Sequence, residues 1–237
     1  MKHVQIFSTT ILLIFLLANA VGAVTTNMGF TTESLSEDDI NTVLKNLNIS
    51  ILTEEPPKKS IQCFDVNENG LIAIGCNNSD NNKTVCIYTS NGDFQYGYSF
   101  KTNGNVGVEL HENILMIYLV RGGIAISIDS MGEIKSVCKI QKTTENTSYW
   151  NNYVYLTNRE VDGNKYTIKN KMGIFNIFAS SYSQLVVTNT NGEDRVIYDV
   201  SSIQFSNTIV AFIGVLVFVC LVVSLIIWRC IKLKRDN

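Results

Sequence analysis

The sequence predicts an all-β ectodomain over residues 60–200, a propeller-like array of about three four-stranded antiparallel units. It adds one transmembrane helix and an N-terminal signal sequence or anchor. Short apolar runs separated by Gly- and Asn-rich turns fill residues 60–200. One turn pattern returns there as "IYTSNGDF" (Ile87 to Phe94), "ISIDSMGEI" (Ile126 to Ile134) and "VVTNTNGED" (Val186 to Asp194). An uncharged run of 20 residues, Ile209 to Trp228, stands near the C-terminus.

The N-terminus is read first. Lys2 and His3 precede an unbroken apolar run, Ile11 to Ala18, followed by the small-residue triplets "ANA" and "VGA". This is the layout of a secretory leader over residues 1–23, with an uncleaved anchor from Val4 to about Val24 as the alternative. Both place Lys2 inside and the middle of the chain outside. Residues 24–59 read as a stalk with one short helix. Ser36 is its N-cap, Asp38 and Asp39 suit the first turn, and Ile40, Val43, Leu44 and Leu47 form one apolar stripe. Pro56 and Pro57, the chain's only prolines, end the stalk.

Strands then follow in sets of four. "IQCFDV", "LIAIGC", "KTVCIYTS" and "FQYGYSFK" form the first, with "NENG" and "NGD" as turns. "VGVEL", "NILMIYLV", "GIAISID" and "EIKSVCKI" form the second. "YVYLTN", "NKYTIKN", "QLVVTNT" and "DRVIYDV" form a less regular third, interrupted by a short helical insertion in "KMGIFNIFASSYS". Gly92, Gly132 and Gly192 are expected at positive φ in the hairpin joining the third and fourth strands of each set. A period of 40–45 residues with four short strands is the signature of a propeller blade.

The uncharged run would span about 30 Å as a helix, the thickness of a bilayer core, so a transmembrane helix is placed at 207–229. Arg229, Lys232, Lys234 and Arg235 flank it, which puts the tail, 230–237, in the cytoplasm and makes the chain a single-pass type I protein of the cell membrane.

"FDVNENGLIAIG" followed by "VCIYTSNGDFQYGYSF" is similar to the blades of propeller proteins of the NHL and WD40-like kind. With "GNVGVEL", "IYLVRGGIAISID" and "MGIFNIFASSYSQLVVT", the chain resembles single-pass membrane proteins of low-GC Gram-positive bacteria. The resemblance covers about residues 60–200 and implies architecture, with no activity to carry over. Three units fall short of a full propeller, so an open arc, closure by a dimer and a stack of sheets stay open.

Charge narrows the partners. Residues 25–206 hold 20 acidic and 14 basic residues, a net of −6, with no basic stripe. Nucleic acid and anionic membrane surfaces are poor partners for such a domain. Cys63, Cys76, Cys86 and Cys138 would lie outside. Their spacing fits no zinc pattern and leaves three pairings open. They read as small strand hydrophobes, with a Cys76–Cys86 disulfide as the alternative.

"DVNENG" supplies Asp65, Asn67 and Asn69 at the alternate positions of a calcium loop, but Cys76 stands where the closing Glu belongs. A polar turn is expected there, with no metal and no cofactor. Phe94, Tyr96, Tyr98 and Phe100 share one strand face. Tyr96, Tyr98 and Trp150 are the candidate ligand-facing aromatics, against packing between sheets. Trp150 belongs to a second cluster with Tyr149, Tyr153 and Tyr155. His111, between Glu109 and Glu112, reads as a turn residue rather than a base oriented by a carboxylate. Asn48, Asn77, Asn82 and Asn146 open glycosylation sequons, read as solvated turns. The expected function is a membrane-tethered, non-catalytic module that binds an extracellular or membrane protein, peptide or glycan. The alternative is a membrane-anchored propeller-type hydrolase or lyase acting on extracellular glycan or peptide.

Overall fold

The computed structural model describes residues 29–77, 81–179 and 181–235. The expected leader or anchor over 1–23 lies outside the described residues. Fourteen strands are described: β1 (Thr32–Ser34), β2 (Ser50–Leu52), β3 (Ile61–Val66), β4 (Ile72–Asn77), β5 (Asn82–Tyr88), β6 (Phe94–Lys101), β7 (Val106–His111), β8 (Ile114–Leu119), β9 (Ile124–Asp129), β10 (Ile134–Ile140), β11 (Asn158–Val161), β12 (Asn164–Lys169), β13 (Gln184–Thr188) and β14 (Asp194–Asp199). They form three antiparallel sheets. The first runs β2-β6-β5-β4-β3, the second β1-β10-β9-β8-β7 and the third β11-β12-β13-β14.

The first sheet is the middle layer. Ala73, Val85, Ile87, Tyr98 and Phe100 point from it into a core shared with Val108, Leu110, Ile117 and Ile126 of the second sheet. The alternate residues Ile72, Ile74, Cys86 and Tyr88 point the other way, into a core shared with Ile168, Leu185, Val187 and Ile197 of the third. A strand buried on both faces needs an apolar residue at every position, which is why "IAIGC" and "TVCIY" lack polar alternation. No ring closure is detected among the described residues.

Four turns share one construction. Thr89, Asp129 and Asn189 each open the hairpin between the third and fourth strands of a sheet's meander, and Asn67 opens the β3–β4 hairpin. The carbonyl of each accepts the N–H of the glycine three residues on, at 2.9–3.0 Å. The side-chain oxygen of each accepts the N–H groups two and four residues on. Gly92, Gly132 and Gly192 therefore sit at φ +92°, +86° and +81°, in the left-handed region that glycine enters without steric cost.

The expected stalk, residues 24–59, is described from residue 29 onward, and there it is built into the sheets. α1 (Glu37–Leu47) is present with Ser36 as its N-cap, Oγ accepting the Asp39 N–H. Its Ile40, Val43, Leu44 and Leu47 pack into the core between the first two sheets. The strands on either side of it join those sheets: β1 pairs with β10 and β2 with β6. The reason is the sheet edge. β6 and β10 would otherwise present unpaired N–H and C=O groups, and the lead-in supplies the missing ladder.

The third unit differs at its start. "YVYLTN", expected as a strand, is not one: Tyr153 and Val154 end a π-helical turn, residues 155–157 carry no strand, and β11 is "NREV" from Asn158. Asp162 (φ +49°) and Gly163 (φ +73°) turn β11 into β12 as a two-residue hairpin. The insertion in "KMGIFNIFASSYS" is a 3₁₀ helix, Gly173–Phe178.

After β14 the chain enters a long helix at once. Its stretch Ser201–Arg229 is long and apolar enough to cross a membrane, and an 18-residue window within it has a mean hydropathy of 3.3. None of that apolar window is buried, unlike the core helix of a soluble protein. The helix begins six residues before the expected span, because Asp199 Oδ1 accepts the Ser201 N–H at 2.7 Å and its hydroxyl at 2.6 Å. Arg229, Lys232, Lys234 and Arg235 lie in its last turns.

Candidate binding face

The site is built on the link between the second and third sheets. α2 (Thr144–Tyr149) starts at Thr143, whose Oγ1 accepts the Asn146 N–H. It runs straight into the π turn Trp150–Val154, closed by a bond from the Tyr155 N–H to the Trp150 carbonyl at 3.0 Å. π turns are rare and gather at functional sites. Here the extra residue rotates the aromatic side chains into two stacks. Tyr149 and Tyr153 lie with ring centroids 4.9 Å apart, and Trp150 and Tyr155 5.4 Å apart. Phe30 stands between them, edge-on to Tyr149 at 4.6 Å and tilted on Trp150 at 4.7 Å. The outer ring of each stack faces solvent, Tyr153 at 58% and Tyr155 at 41% exposed, with Leu156 beside them at 38%.

A buried polar set holds this face from beneath. Glu109 of β7 accepts the Tyr118 hydroxyl on Oε2 and the Tyr149 hydroxyl on Oε1, both at 2.7 Å. Burial and the Glu109 charge push both phenols up, so both remain donors. Asp65 of β3 meets Arg159 of β11, Nε to Oδ1 at 2.6 Å, and its Oδ2 accepts the Leu110 N–H at 2.8 Å. Burial pushes the Asp65 carboxyl up and Arg159 opposes it. The Arg159 Nη2 reaches on to the Tyr153 carbonyl at 2.7 Å. The first strands of all three meanders thus contribute one charged residue each. Gly107 of β7 lets the turn lie close, since a Cβ there would stand 2.4 Å from Val154 and 3.2 Å from Trp150.

The sequence-nominated residues divide accordingly. Asp65, Asn67 and Asn69 have separate settings. Asp65 is spent on Arg159 and Leu110, Asn67 Oδ1 on the turn, and Asn69 is exposed. Tyr98 is corrected from ligand-facing to core: it is fully buried, and its hydroxyl donates to the Asp129 carbonyl. Tyr96 is half-buried and edge-on to Tyr98 at 5.9 Å. Trp150 is the one of the three that belongs to the face.

His111 Nε2 lies 3.5 Å from Glu109 Oε2, and that contact raises the imidazole above its ordinary value against the effect of burial. Cys63, Cys76 and Cys86 are buried thiols and Cys138 is partly buried. Burial pushes Cys76 up to about 11 and Cys86 up to about 12, which suits small strand hydrophobes and not nucleophiles.

Asn146 is corrected from a solvated sequon to a buried anchor. Its amide donates to the Thr31 and Gln141 carbonyls at 2.8 and 2.7 Å, and its oxygen accepts the Thr31 N–H at 2.8 Å. Arg159 carried no signal in the sequence beyond its residue type, and the Asn146 sequon pointed to solvent. The Tyr149–Tyr155 cluster did carry one.

No family model matches the chain, and no curated protein matches it. Among solved structures it is similar to Sqt1 of Saccharomyces cerevisiae, at 14% identity and a TM-score of 0.27. The match covers 62% of this chain and 34% of that one, about a third of the neighbour's length.

Proposed function

We propose that the protein is a membrane-tethered, extracytoplasmic β module that binds a ligand with a flat apolar face, a sugar ring or a peptide side chain, through the Tyr153–Tyr155 face. The observation that carries this reading is the pair of aromatic stacks, each exposed at its outer ring, with the inner Tyr149 hydrogen-bonded to buried Glu109. Exposed aromatic rings held in place stack on such ligands at little entropic cost. The nearby carboxylates support binding over catalysis, because Glu109 and Asp65 are each spent on protein donors. The exposed apolar helix and its basic end support the tether and the outside orientation. The likeness in the sequence to propeller blades of single-pass bacterial proteins agrees with a head of this kind.

The test uses the full chain in lipid nanodiscs against immobilised glycan and peptide panels. Tyr153→Ala with Tyr155→Ala should weaken binding about tenfold or more, roughly the loss of one aromatic contact of 1.4 kcal/mol. Tyr149→Phe, which leaves all four rings in place but takes the hydroxyl from Glu109, should weaken binding by less than the double variant. Unchanged affinity in the double variant sinks the reading. For orientation, protease added to intact cells should cut a site engineered between Leu52 and Lys59 and spare a tag at Asn237. The reverse would place the head inside.

A further inference from the structure

The 3₁₀ segment Gly173–Phe178 carries the sequence "GIFNIF", four large apolar residues of six and no charge. Its Ile177 is 82% exposed, more than any other large apolar residue among those described. A single exposed apolar residue is ordinary on a protein surface. The place of this one beside the long helix is not.

Two contacts fix that place. The Thr208 hydroxyl donates to Met172 Sδ at 3.8 Å, and Phe175 meets Phe205 edge-on with ring centroids 5.8 Å apart. Thr208 is the residue before the uncharged run that begins at Ile209, and Phe205 lies four residues before it, about 6 Å along the helix axis. Ile177 follows Phe175 by two residues, about 4 Å at the 3₁₀ rise. It therefore stands within about 10 Å of the level at which the run begins. When the run fills the hydrocarbon core, that level is the headgroup layer, about 5–8 Å thick on each side of a bilayer. Ile203 and Phe205 of the helix are exposed at the same level.

Charge agrees with this placement. Residues 25–206 sum to −6, yet residues 163–192, around the segment, hold Lys165, Lys169 and Lys171 and no Asp or Glu. That is the longest acid-free stretch of the head, so the part of the chain nearest the lipid phosphates is the part that they do not repel. Lys171 is exposed just before the segment, where its long stem lets the ammonium reach the headgroups.

We propose that the 3₁₀ segment is a foot on the membrane: Ile177 inserts among the outer ends of the acyl chains of the bilayer that the long helix crosses, with Lys171 at the phosphates, so that the head is held against the lipid surface. The inference rests on the membrane part of the proposed function. The lipid surface is the occupant because the helix contacts hold Ile177 at its level.

Methyl NMR of the full chain in phosphatidylcholine nanodiscs tests this on the native residue. Ile δ1 and Met ε methyl groups carry the label, assigned with Ile177→Val, Ile213→Val and Met131→Leu. Met131, 78% exposed in the β9–β10 hairpin, is the aqueous reference. A water-soluble gadolinium chelate should broaden the Ile177 methyl about tenfold less than the Met131 methyl, since a docked-to-free ratio of about ten, about 1.4 kcal/mol, leaves about a tenth of the molecules open to it. A lipid with a nitroxide near the top of its acyl chain should broaden Ile177 and spare Met131. Equal broadening of the two methyls by the chelate overturns the proposal. Protection of Ile177 from the chelate without broadening by the nitroxide lipid also overturns it, by giving the segment to a second copy or another protein. Ile213, inside the uncharged run, reports separately: broadening there by the chelate would sink the membrane reading itself.

Discussion

Substituting alanine at Gly132 and at Gly192 separates two costs that a hairpin glycine can hide. Both positions have positive φ, +86° and +81°, in turns with the same hydrogen bonds. A Cβ in that region costs about 1 kcal/mol. At Gly192 nothing lies within 4 Å of the added atom, so the conformational cost is the whole effect. At Gly132 the new Cβ would stand 2.3 Å from Ile51 Cδ1 and 2.8 Å from its Cγ1. Ile51 belongs to β2 and is paired opposite Tyr98, so its backbone cannot retreat without breaking the ladder to β6. Its side chain is 46% exposed and can turn away, which holds the added cost to about 1–2 kcal/mol. Thermal unfolding followed by circular dichroism should show Gly192→Ala lowering Tm by about 2–4 °C and Gly132→Ala by about 4–12 °C. Ile51→Ala placed behind Gly132→Ala should remove the excess relative to Ile51→Ala alone. Met131→Lys should be near neutral, since Met131 is 78% exposed. Equal shifts at the two glycines would refute the contact between the turn and β2. No shift at Gly192 would refute the left-handed turn itself.

Asp65→Ala should destabilise by about 3–5 kcal/mol, because it strands the Arg159 guanidinium beneath the aromatic turn; a double-mutant cycle with Arg159→Ala should return a coupling energy, and strict additivity would count against the pair. Asn146→Ala should cost about 2–3 kcal/mol in denaturant unfolding by leaving the Thr31 and Gln141 backbone groups without their partner; a neutral result would mean that the turn does not depend on this anchor. His111 has a folded-state pKa above its unfolded value, so its contribution to stability is complete below about pH 6.5 and is lost as pH rises through the folded value. His111→Asn should therefore flatten the Tm-against-pH curve on that alkaline side of 6.5, and an unchanged curve would show the Glu109 contact to be without weight.

What the sequence made legible follows from how local each signal was. The strand sets over residues 60–140 could be read because apolar runs bounded by Asn-Gly and Met-Gly turns are fixed within a few residues. The start of the third set was misread for the opposite reason. "YVYLTN" has the β-branched and aromatic composition of a strand, but its Tyr153 and Tyr155 stack on Tyr149 and Trp150, which Phe30 and Glu109, far away in sequence, hold beside a π turn that ends at Val154. The Asp162–Gly163 pair was the better local signal for that hairpin. The lead-in was read as a stalk because nothing in "TES" or "SIL" announces the strand it pairs with, 108 and 47 residues later for Thr32 and Ile51. The aromatic face was visible as a cluster of residue types. Its polar foundation was not, since Asp65, Glu109 and Arg159 come together only when three strands do.

The two lead-in strands act as latches on a box built behind them. They are synthesised first and can be seated last, since β6 and β10 must exist before either has a groove to enter. Late, sequence-distant pairing of this kind slows folding. It also makes the finished head reversible at one spot. The connector Thr53 to Ser60 is largely free of strand pairing and bears the two prolines. A cut there would free the β2 latch, and the bare edge of β6 would then offer its ladder to an extended strand of another molecule. A receptor surface or an aggregate seed would be created from the same eight residues, according to what reaches that edge first.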